Sequence, residues 1–366
     1  MPGSEQHRQV RDFLYKYYPN SDLENMQIAP LKGGIATTIF KVNLSDEGKE
    51  YCVVVRKNPE QIDLRDYNRE ILFQDFCSAA EIGPKILYRD SDYTLMEFIH
   101  GEWPLPETLD KPQLTSIANS IRILHSADLT INLSDAHFLF QLKQMLKEKN
   151  SDPEKEELLV RARHWIEQVG EFFYKDSHLC PCHLDLNPGN ILLSQQNKTF
   201  LVDFTDSHCD DKFIDLGKFA AYMGLGANEK ITLLKSYFSG EPSRKQIALL
   251  NIAQMLFELR LGMVGLLNIK SDAELKELLA NQDLNADSKK AHHSLIHDYL
   301  HGNIQDENIF YKRLVDVYYL SWKQKIESKE YLEDMHILSN PSYQSFFDFN
   351  ISAEIDIKSN KQNVYN

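Results

Sequence analysis

Apolar residues along this chain recur in two rhythms, and the rhythm changes near His100. Before that point, Met26–Leu31, Thr37–Leu44 and Tyr51–Arg56 are short β-branched or alternating runs. Gly33-Gly34 and Ser45-Asp46-Glu47-Gly48 separate them, which is the texture of a strand meander. Ahead of the meander, Ser4–Tyr18 has apolar positions at helical spacing and stops at Pro19, so residues 1–25 predict a leading helix. Leu64–Ala80 has the helical period again and halts before Gly83-Pro84. Lys85–Arg89 and Tyr93–Phe98 then read as two further strands around an Asp90-Ser91-Asp92 turn.

After His100-Gly101-Glu102 the pattern is mainly helical. Lys111–Ser126, Phe138–Lys149, Pro153–Lys175, Phe213–Gly224, Asn228–Phe238 and Ser243–Leu267 all suit helices. The exception is a pair of short apolar strands, Asn190–Leu193 and Thr199–Asp203, flanking a polar turn. The prediction is an α+β chain of two lobes. A β-rich N-lobe over 26–100 would meet a helical C-lobe over 101–366 at a hinge near Glu97–Gly101. Ser271–Gln305 and the tail from Ser352 are polar and read as mobile segments.

Composition narrows the class without naming a function. The chain has 366 residues, 42% hydrophobic and 26% charged, as an ordinary soluble globular protein has. Apolar stretches such as Ile247–Phe257 are broken by Gln or charge before the ~20 residues of a spanning helix, so no membrane span is expected. Met1–Arg11 carries no apolar leader. An odd count of 5 cysteines is no disulfide framework, and a reducing cytoplasm is the natural compartment. The net charge of −14, without a basic cluster, argues against nucleic acid as partner. It suits a cationic small molecule, or simply solubility.

The chemistry is concentrated in His183-Leu184-Asp185-Leu186-Asn187-Pro188-Gly189-Asn190 and Leu201-Val202-Asp203-Phe204. Phosphoryl transfer to an alcohol needs a carboxylate to orient the hydroxyl and take its proton, and oxygen ligands for Mg²⁺ on the phosphates. The His-x-Asp-x-x-x-x-Asn spacing sets Asp185 at a loop apex and Asn190 one tight turn later, and the hairpin returns Asp203 to the same end. Each alone would be an ordinary turn residue beside Pro188-Gly189. Together they predict Asp185 as catalytic base, His183 as the loop's bracing hydrogen bonder, and Asn190 and Asp203 as metal ligands.

These segments resemble the aminoglycoside phosphotransferase and choline/ethanolamine kinase superfamily, over roughly residues 26–225. The resemblance implies a two-lobed, protein-kinase-like fold, ATP and Mg²⁺ as cofactors, and a small hydroxyl compound as acceptor. Leu31–Thr38 stands where the family has its phosphate-covering loop, which implicates Gly33 and Gly34. Val53-Val54-Val55-Arg56 resembles the third strand, where choline kinases carry Arg and protein kinases Lys. Asn68-Arg69-Glu70 resembles the helix that supplies the ion-pair Glu70, and Leu95–Gly101 the hinge, where Glu97, Phe98 and Ile99 would meet the nucleotide. Ile117–His125 and Asp215-Leu216-Gly217 also match. Phe204-Thr205 replaces the Phe-Gly of protein kinases, which disfavours a protein acceptor. The Trp-rich C-terminus expected of choline kinases is reduced to Tyr318-Tyr319 and Trp322.

The remaining candidates concern phosphate, zinc and the acceptor. Alternation along the third strand puts Val54 and Arg56 on one face and Lys57 on the other, so Arg56 is expected beside the nucleotide. Cys180-Pro181-Cys182-His183, with His178, His208 and Cys209, matches zinc spacing poorly and reads as packing. Tyr222, Glu258, Tyr318, Tyr319 and Trp322 could cage a quaternary ammonium, and Asp206, Asp210 and Asp211 could line the acceptor pocket. Taken singly, the cage residues suit core packing better, and the three Asp residues equally suit a solvated loop. Two classes stay open: a kinase of a small, cationic amino alcohol, with aminoglycoside or thiamine as alternatives, and a pseudokinase binding module. Intact Asp185, Asn190 and Asp203 favour the enzyme.

Overall fold

The computed structural model of the chain describes residues 5–22, 25–31, 38–58, 64–129, 137–147, 153–174, 179–280, 295, 298, 303–304 and 306–340. Gly33, Gly34, His178 and the tail from Ser352 lie outside them.

The leading helix α1 (Glu5–Tyr17) is followed by β1 (Gln27–Pro30), β2 (Ile39–Asp46), β3 (Lys49–Lys57), α2 (Leu64–Ala79), β4 (Ile86–Arg89) and β5 (Tyr93–Glu97). The strands form one antiparallel sheet in the order β1-β2-β3-β5-β4. Period-2 alternation divides its faces. Phe40, Val42, Leu44, Val53, Val55 and Leu95 form one buried face, and α1 covers it with Val10, Phe13 and Leu14. The leading helix is thus part of the N-lobe core. Arg56, one step out of phase with Val55, points to the opposite face and reaches Glu70 on α2.

Beyond β6 (Gly101–Glu102) come α3 (Lys111–His125), α4 (His137–Met145), α5 (Pro153–Tyr174), β7 (Cys180–Cys182), β8 (Ile191–Ser194), β9 (Thr199–Leu201) and β10 (His208–Asp210). Then follow α6 (Lys212–Tyr222), α7 (Ala227–Phe238), α8 (Arg244–Asn268) and α9 (Asp272–Ala280). The last described helices are α10 (Glu307–Leu314), α11 (Leu320–Lys325) and α12 (Lys329–Ser339), with a π-helical turn, Val315–Tyr319, joining α10 to α11. The helix starts follow local chemistry: Asp110 with Gln113 and Ser243 with Gln246 form capping boxes at α3 and α8.

Two expectations are corrected here, and a third observation concerns α8. The C-lobe holds more β-structure than one hairpin, because β6 extends β8–β9 to three strands and β7 pairs with β10. Strands of two or three residues carry too little alternation to be read from sequence. Part of Ser271–Gln305 is helical, as α9. Finally, α8 is long and apolar enough to cross a membrane by composition, with mean hydropathy 1.5 in its most apolar stretch. It is the central helix of the C-lobe instead, with 67% of that stretch buried. Its closest neighbour is α6, where Gly217 brings the two backbones together: a Cβ there would lie 2.5 Å from the carbonyl carbon of Ala253.

Candidate active site

β7 delivers the chain into the loop His183–Asn190, and the fold holds that loop from behind. Asp215, fully buried on α6, accepts the backbone N–H of His183 (2.6 Å, Oδ2) and of Leu184 (2.7 Å, Oδ1). Its Oδ2 also meets His125 Nε2 at 3.1 Å, and the other ring nitrogen of His125 meets the Tyr237 hydroxyl at 2.8 Å. Burial alone would raise the Asp215 pKa, but the His125 contact and the backbone donors hold it below the usual carboxylate range. His125 shows the converse: burial opposes its charge, yet Cys180 and Asp215 raise its pKa. Leu184 adopts φ +59°, in the left-handed region that a branched residue rarely occupies. Its N–H is gripped by Asp215 and its carbonyl accepts from Lys218 Nζ, so both ends of this strained residue are tied down.

His183 plays the bracing part. Its Nδ1 accepts the Asp185 N–H (3.3 Å), which leaves Nε2 to donate to the Val202 carbonyl (2.9 Å). Its ring packs on Phe204 with centroids 5.0 Å apart, and Phe204 stacks in turn with Phe73 of α2. Asp185 Oδ2 accepts from Asn187 Nδ2 (2.9 Å) and Asn190 Nδ2 (2.7 Å). Among the described residues nothing donates to its other oxygen, Oδ1. Asn190 sits in a 3₁₀ turn, Pro188–Asn190, capped by the Asn187 side chain. Its Nδ2 is spent on Asp185, which leaves its Oδ1 as an acceptor with no donor among the described residues.

Asp203 is not part of a strand, contrary to expectation: β9 ends at Leu201, and Asp203 turns out of the hairpin at φ +62°. The Val202 N–H still bonds the Asn190 carbonyl (3.0 Å), so the stretches bearing Asn190 and Asp203 run side by side. Asp203 Oδ1 accepts from Thr205 (2.7 Å), and Thr205 accepts from Arg56 Nη2 (3.5 Å). A chain of contacts therefore runs from Asp203 to the buried Arg56–Glu70 ion pair, which Gln74 also supports (2.9 Å to Glu70). Asn190 and Asp203 offer hard oxygen atoms at one end of the β8–β9 hairpin, a donor set that fits Mg²⁺, with Asp185 hydrogen-bonded to Asn190 beside them.

At the hinge, the Glu97 carboxylate accepts the Lys85 N–H (2.9 Å), and the Phe98 N–H reaches Cys52 O (3.4 Å). Lys41 Nζ lies 4.2 Å from the Phe98 ring centre. Ile99 is half-buried, and its backbone enters no hydrogen bond among the described residues.

The aromatic cage does not form. Tyr318 is 1% exposed and packs with Leu295, Leu314 and Val317. Trp322, 2% exposed, lies against Trp165 and Tyr319 in the main core. Glu258 is wholly buried and committed to Lys325 (2.7 Å), Gln254 (2.9 Å) and Ser321 (3.3 Å). For Glu258, periodicity could not separate a lining face from a core face, because α8 carries apolar residues on every side. Asp206 is exposed, whereas Asp210 and Asp211 are buried as structural acceptors for Phe138 N and Phe213 N. Sequence reasoning missed Lys218, which is 3% exposed and lies between Phe138 and Phe257 (5.1 and 5.2 Å to the ring centres). Burial, then the nearby Arg260, lower its pKa to about 8. A lysine inside an apolar helix was the available signal. Cys180 and Cys182 bring their sulfurs within 4.8 Å of a His125 ring nitrogen, but both nitrogens of that ring already have partners.

Residues 27–248 match the family model described as the phosphotransferase enzyme family. The chain belongs to this family. A probable choline kinase of Arabidopsis thaliana is 26% identical over 278 residues, 72% of this chain and 76% of that protein. A probable ethanolamine kinase of the same plant is 26% identical over 227 residues, 58% of this chain and 60% of that protein. Among solved structures, choline kinase from Cryptosporidium parvum superposes with a TM-score of 0.61 at 13% identity. That alignment covers 91% of this chain and 99% of that one, which shows a shared fold. The fold is thus the two-lobed protein-kinase-like one, and the protein is a small-molecule kinase.

Proposed function

We propose that this kinase transfers the γ-phosphoryl group of ATP to a hydroxyl of a small amino alcohol held beside Asp185. The observation that carries this reading is the divided use of the Asp185 carboxylate. Oδ2 is fixed by Asn187 and Asn190, while Oδ1 has no donor among the described residues and is open to an acceptor hydroxyl. The acceptor oxygen forms the new bond to the γ-phosphorus, and the bond from that phosphorus to the bridging oxygen breaks. ADP leaves with the electron pair, and the hydroxyl proton passes to Asp185. Mg²⁺, when bound, would neutralise charge on the β- and γ-phosphates, with Asn190 Oδ1 and the Asp203 carboxylate as its protein ligands.

Arg56, locked by Glu70, faces the phosphates in this reading. Glu97–Ile99 meets the flat adenine edge with backbone groups, and Gly33-Gly34 covers the phosphates. The acceptor class is supported by the relatives named as probable choline and ethanolamine kinases. The exposed Asp206 is available to a cationic nitrogen. Free thiols at all five described cysteines suit the reducing cytoplasm proposed for it.

The test is ADP release over a panel of amino alcohols, aminoglycosides and thiamine, with thermal protection by Mg²⁺-ATP measured alongside. Asp185→Asn is expected to lower kcat by about 10²–10⁴ with ATP affinity preserved. Asp203→Asn is expected to weaken Mg²⁺-ATP binding and turnover together. Near-normal turnover in both variants would overturn the assignment.

A further inference from the structure

Two cations share one aromatic ring on the C-lobe side of Asp185, and neither has a carboxylate partner among the described residues. Lys218 Nζ lies 5.1 Å from the Phe138 ring centre and Arg260 Cζ lies 5.5 Å from the same centre. Lys218 donates to the Leu184 carbonyl, the peptide that leads into Asp185, and so belongs to the loop's support. Arg260 is half-buried on α8 and forms no hydrogen bond or ion pair among the described residues. The carboxylate two positions earlier, Glu258, faces away and is held by Lys325.

In a chain of net charge −14, a Lys–Arg pair with no carboxylate partner in direct contact among the described residues is costly, and the cost is visible. After burial, Arg260 is the leading influence that lowers the Lys218 pKa to about 8. Asp185, Asp215 and Asp206 act on Lys218 in the opposite sense, so Lys218 lies within electrostatic range of both the catalytic carboxylate and the exposed Asp206, and Arg260 shares the Phe138 ring with it. Like charges held together beside a reacting group are a recognition device for an anion: a bound anion removes the repulsion, and a planar guanidinium presents a two-pronged fork to a carboxylate.

Resting on the phosphotransferase reading above, we propose that Arg260 recognises a carboxylate on the acceptor, so that the preferred substrate is a hydroxylated amino acid. Its hydroxyl meets Asp185, its ammonium faces the Asp206 side, and its carboxylate is drawn to Arg260, with Lys218 adding background positive potential. The hydroxyl takes the γ-phosphoryl group and yields its proton to Asp185, as for any alcohol in this site. The carboxylate takes no part in bond making. Arg260 is therefore a specificity residue, and its removal should separate acceptor effects from nucleotide effects.

The experiment uses the full chain with Mg²⁺-ATP and a matched series: serine and its longer ω-hydroxy homologues, each against its carboxamide and against the amino alcohol lacking the carboxyl group. For the best acceptor, kcat/KM of the acid should exceed that of its carboxamide by about tenfold to a hundredfold, the worth of one charge-assisted pair. Arg260→Gln should shrink that ratio to about twofold by raising the acceptor KM, while the ATP KM changes little. Arg260→Lys should recover part of the ratio. Because Arg260 is half-exposed, both variants should fold, and an unfolding curve for each checks this.

Carboxamides or simple amino alcohols that serve as well as the acids would overturn the inference and leave the kinase reading intact. So would an Arg260→Gln effect confined to the ATP KM, since Arg260 would then serve the nucleotide. Failure of every hydroxy acid to bind or react, while another alcohol reacts, also overturns it. Absence of Mg²⁺-ATP binding altogether would instead defeat the kinase reading itself.

Discussion

Asp215→Asn tests whether one buried carboxylate organises the catalytic loop. In the parent, separate oxygens accept the His183 and Leu184 N–H groups at 2.6 and 2.7 Å, and Oδ2 also meets His125. An amide keeps one acceptor and turns an NH₂ group toward a backbone donor, whichever way it is placed. One hydrogen bond to a charged acceptor is lost, about 1.5–3 kcal/mol, and a buried N–H is left unsatisfied, about 1–3 kcal/mol. Relief of carboxylate burial offsets part of this, so the net loss should be about 3 kcal/mol.

The damage should also be local to chemistry, because Leu184 is held at φ +59° by this carboxylate on one side and Lys218 on the other. At a temperature where the variant is fully folded, kcat should fall at least about tenfold with little change in the ATP KM, as for a misplaced catalytic group. The pH dependence has a definite sign. The folded pKa is lowered, so the contribution is present above the unfolded carboxylate value and is lost as pH falls through the folded one. The stability gap between parent and variant should therefore close in strong acid, and, because Asp215 also raises the His125 pKa, it should narrow as pH rises through the folded His125 value. The assay is urea denaturation across pH, paired with ADP release. A stability loss under about 1 kcal/mol with unchanged kcat would refute the account.

Asp211→Asn should do the opposite. Burial raises the pKa of this N-cap to about 6, so ionisation costs stability as pH rises from about 4 through 6. Asn can still accept the Phe213 N–H (2.8 Å in the parent), so the variant should be more stable at pH 7.5 by up to about 2–3 kcal/mol. That gain should vanish near pH 4, and equal stability of the two proteins at both pH values would contradict it. Gly217→Ala forces a Cβ to within 2.5 Å of Ala253, on backbone that cannot move aside cheaply. The loss should be about 2–3 kcal/mol by chemical denaturation, and a neutral result would mean that α6 and α8 are less tightly packed than they are here.

The local features of this protein were legible wherever one short stretch of chain carries its own instruction. Alternation in Thr37–Leu44 and Tyr51–Arg56 specified strands and put Arg56 on the face away from Val53 and Val55, because side chains in a strand have period 2. The loop His183–Asn190 was legible because its hydrogen bonds link residues two to five apart, such as Asn187 and Asn190 to Asp185. Glycine and proline stops bounded the helices for the same local reason.

Tertiary structure decided the rest. Asp215 grips residues 31 and 32 positions away, and Arg56 contacts Thr205 across 149 positions, distances over which no periodicity carries information. Tyr318, Trp322 and Glu258 looked like pocket candidates because aromatic and acidic residues on a C-terminal helix suit a cation. Whether they line a pocket depends on what packs against them. Gly262 lets the π-helical turn approach α8 so closely that a Cβ would lie 2.7 Å from Tyr319 Cα, and that contact puts the cluster in the core. The chain's own pattern determined which residues could do chemistry, because reactive groups sit on short loops with local bonding. Which of them face one another, and which are merely buried, was decided by helix packing, a property of surfaces brought together only when the chain closes on itself.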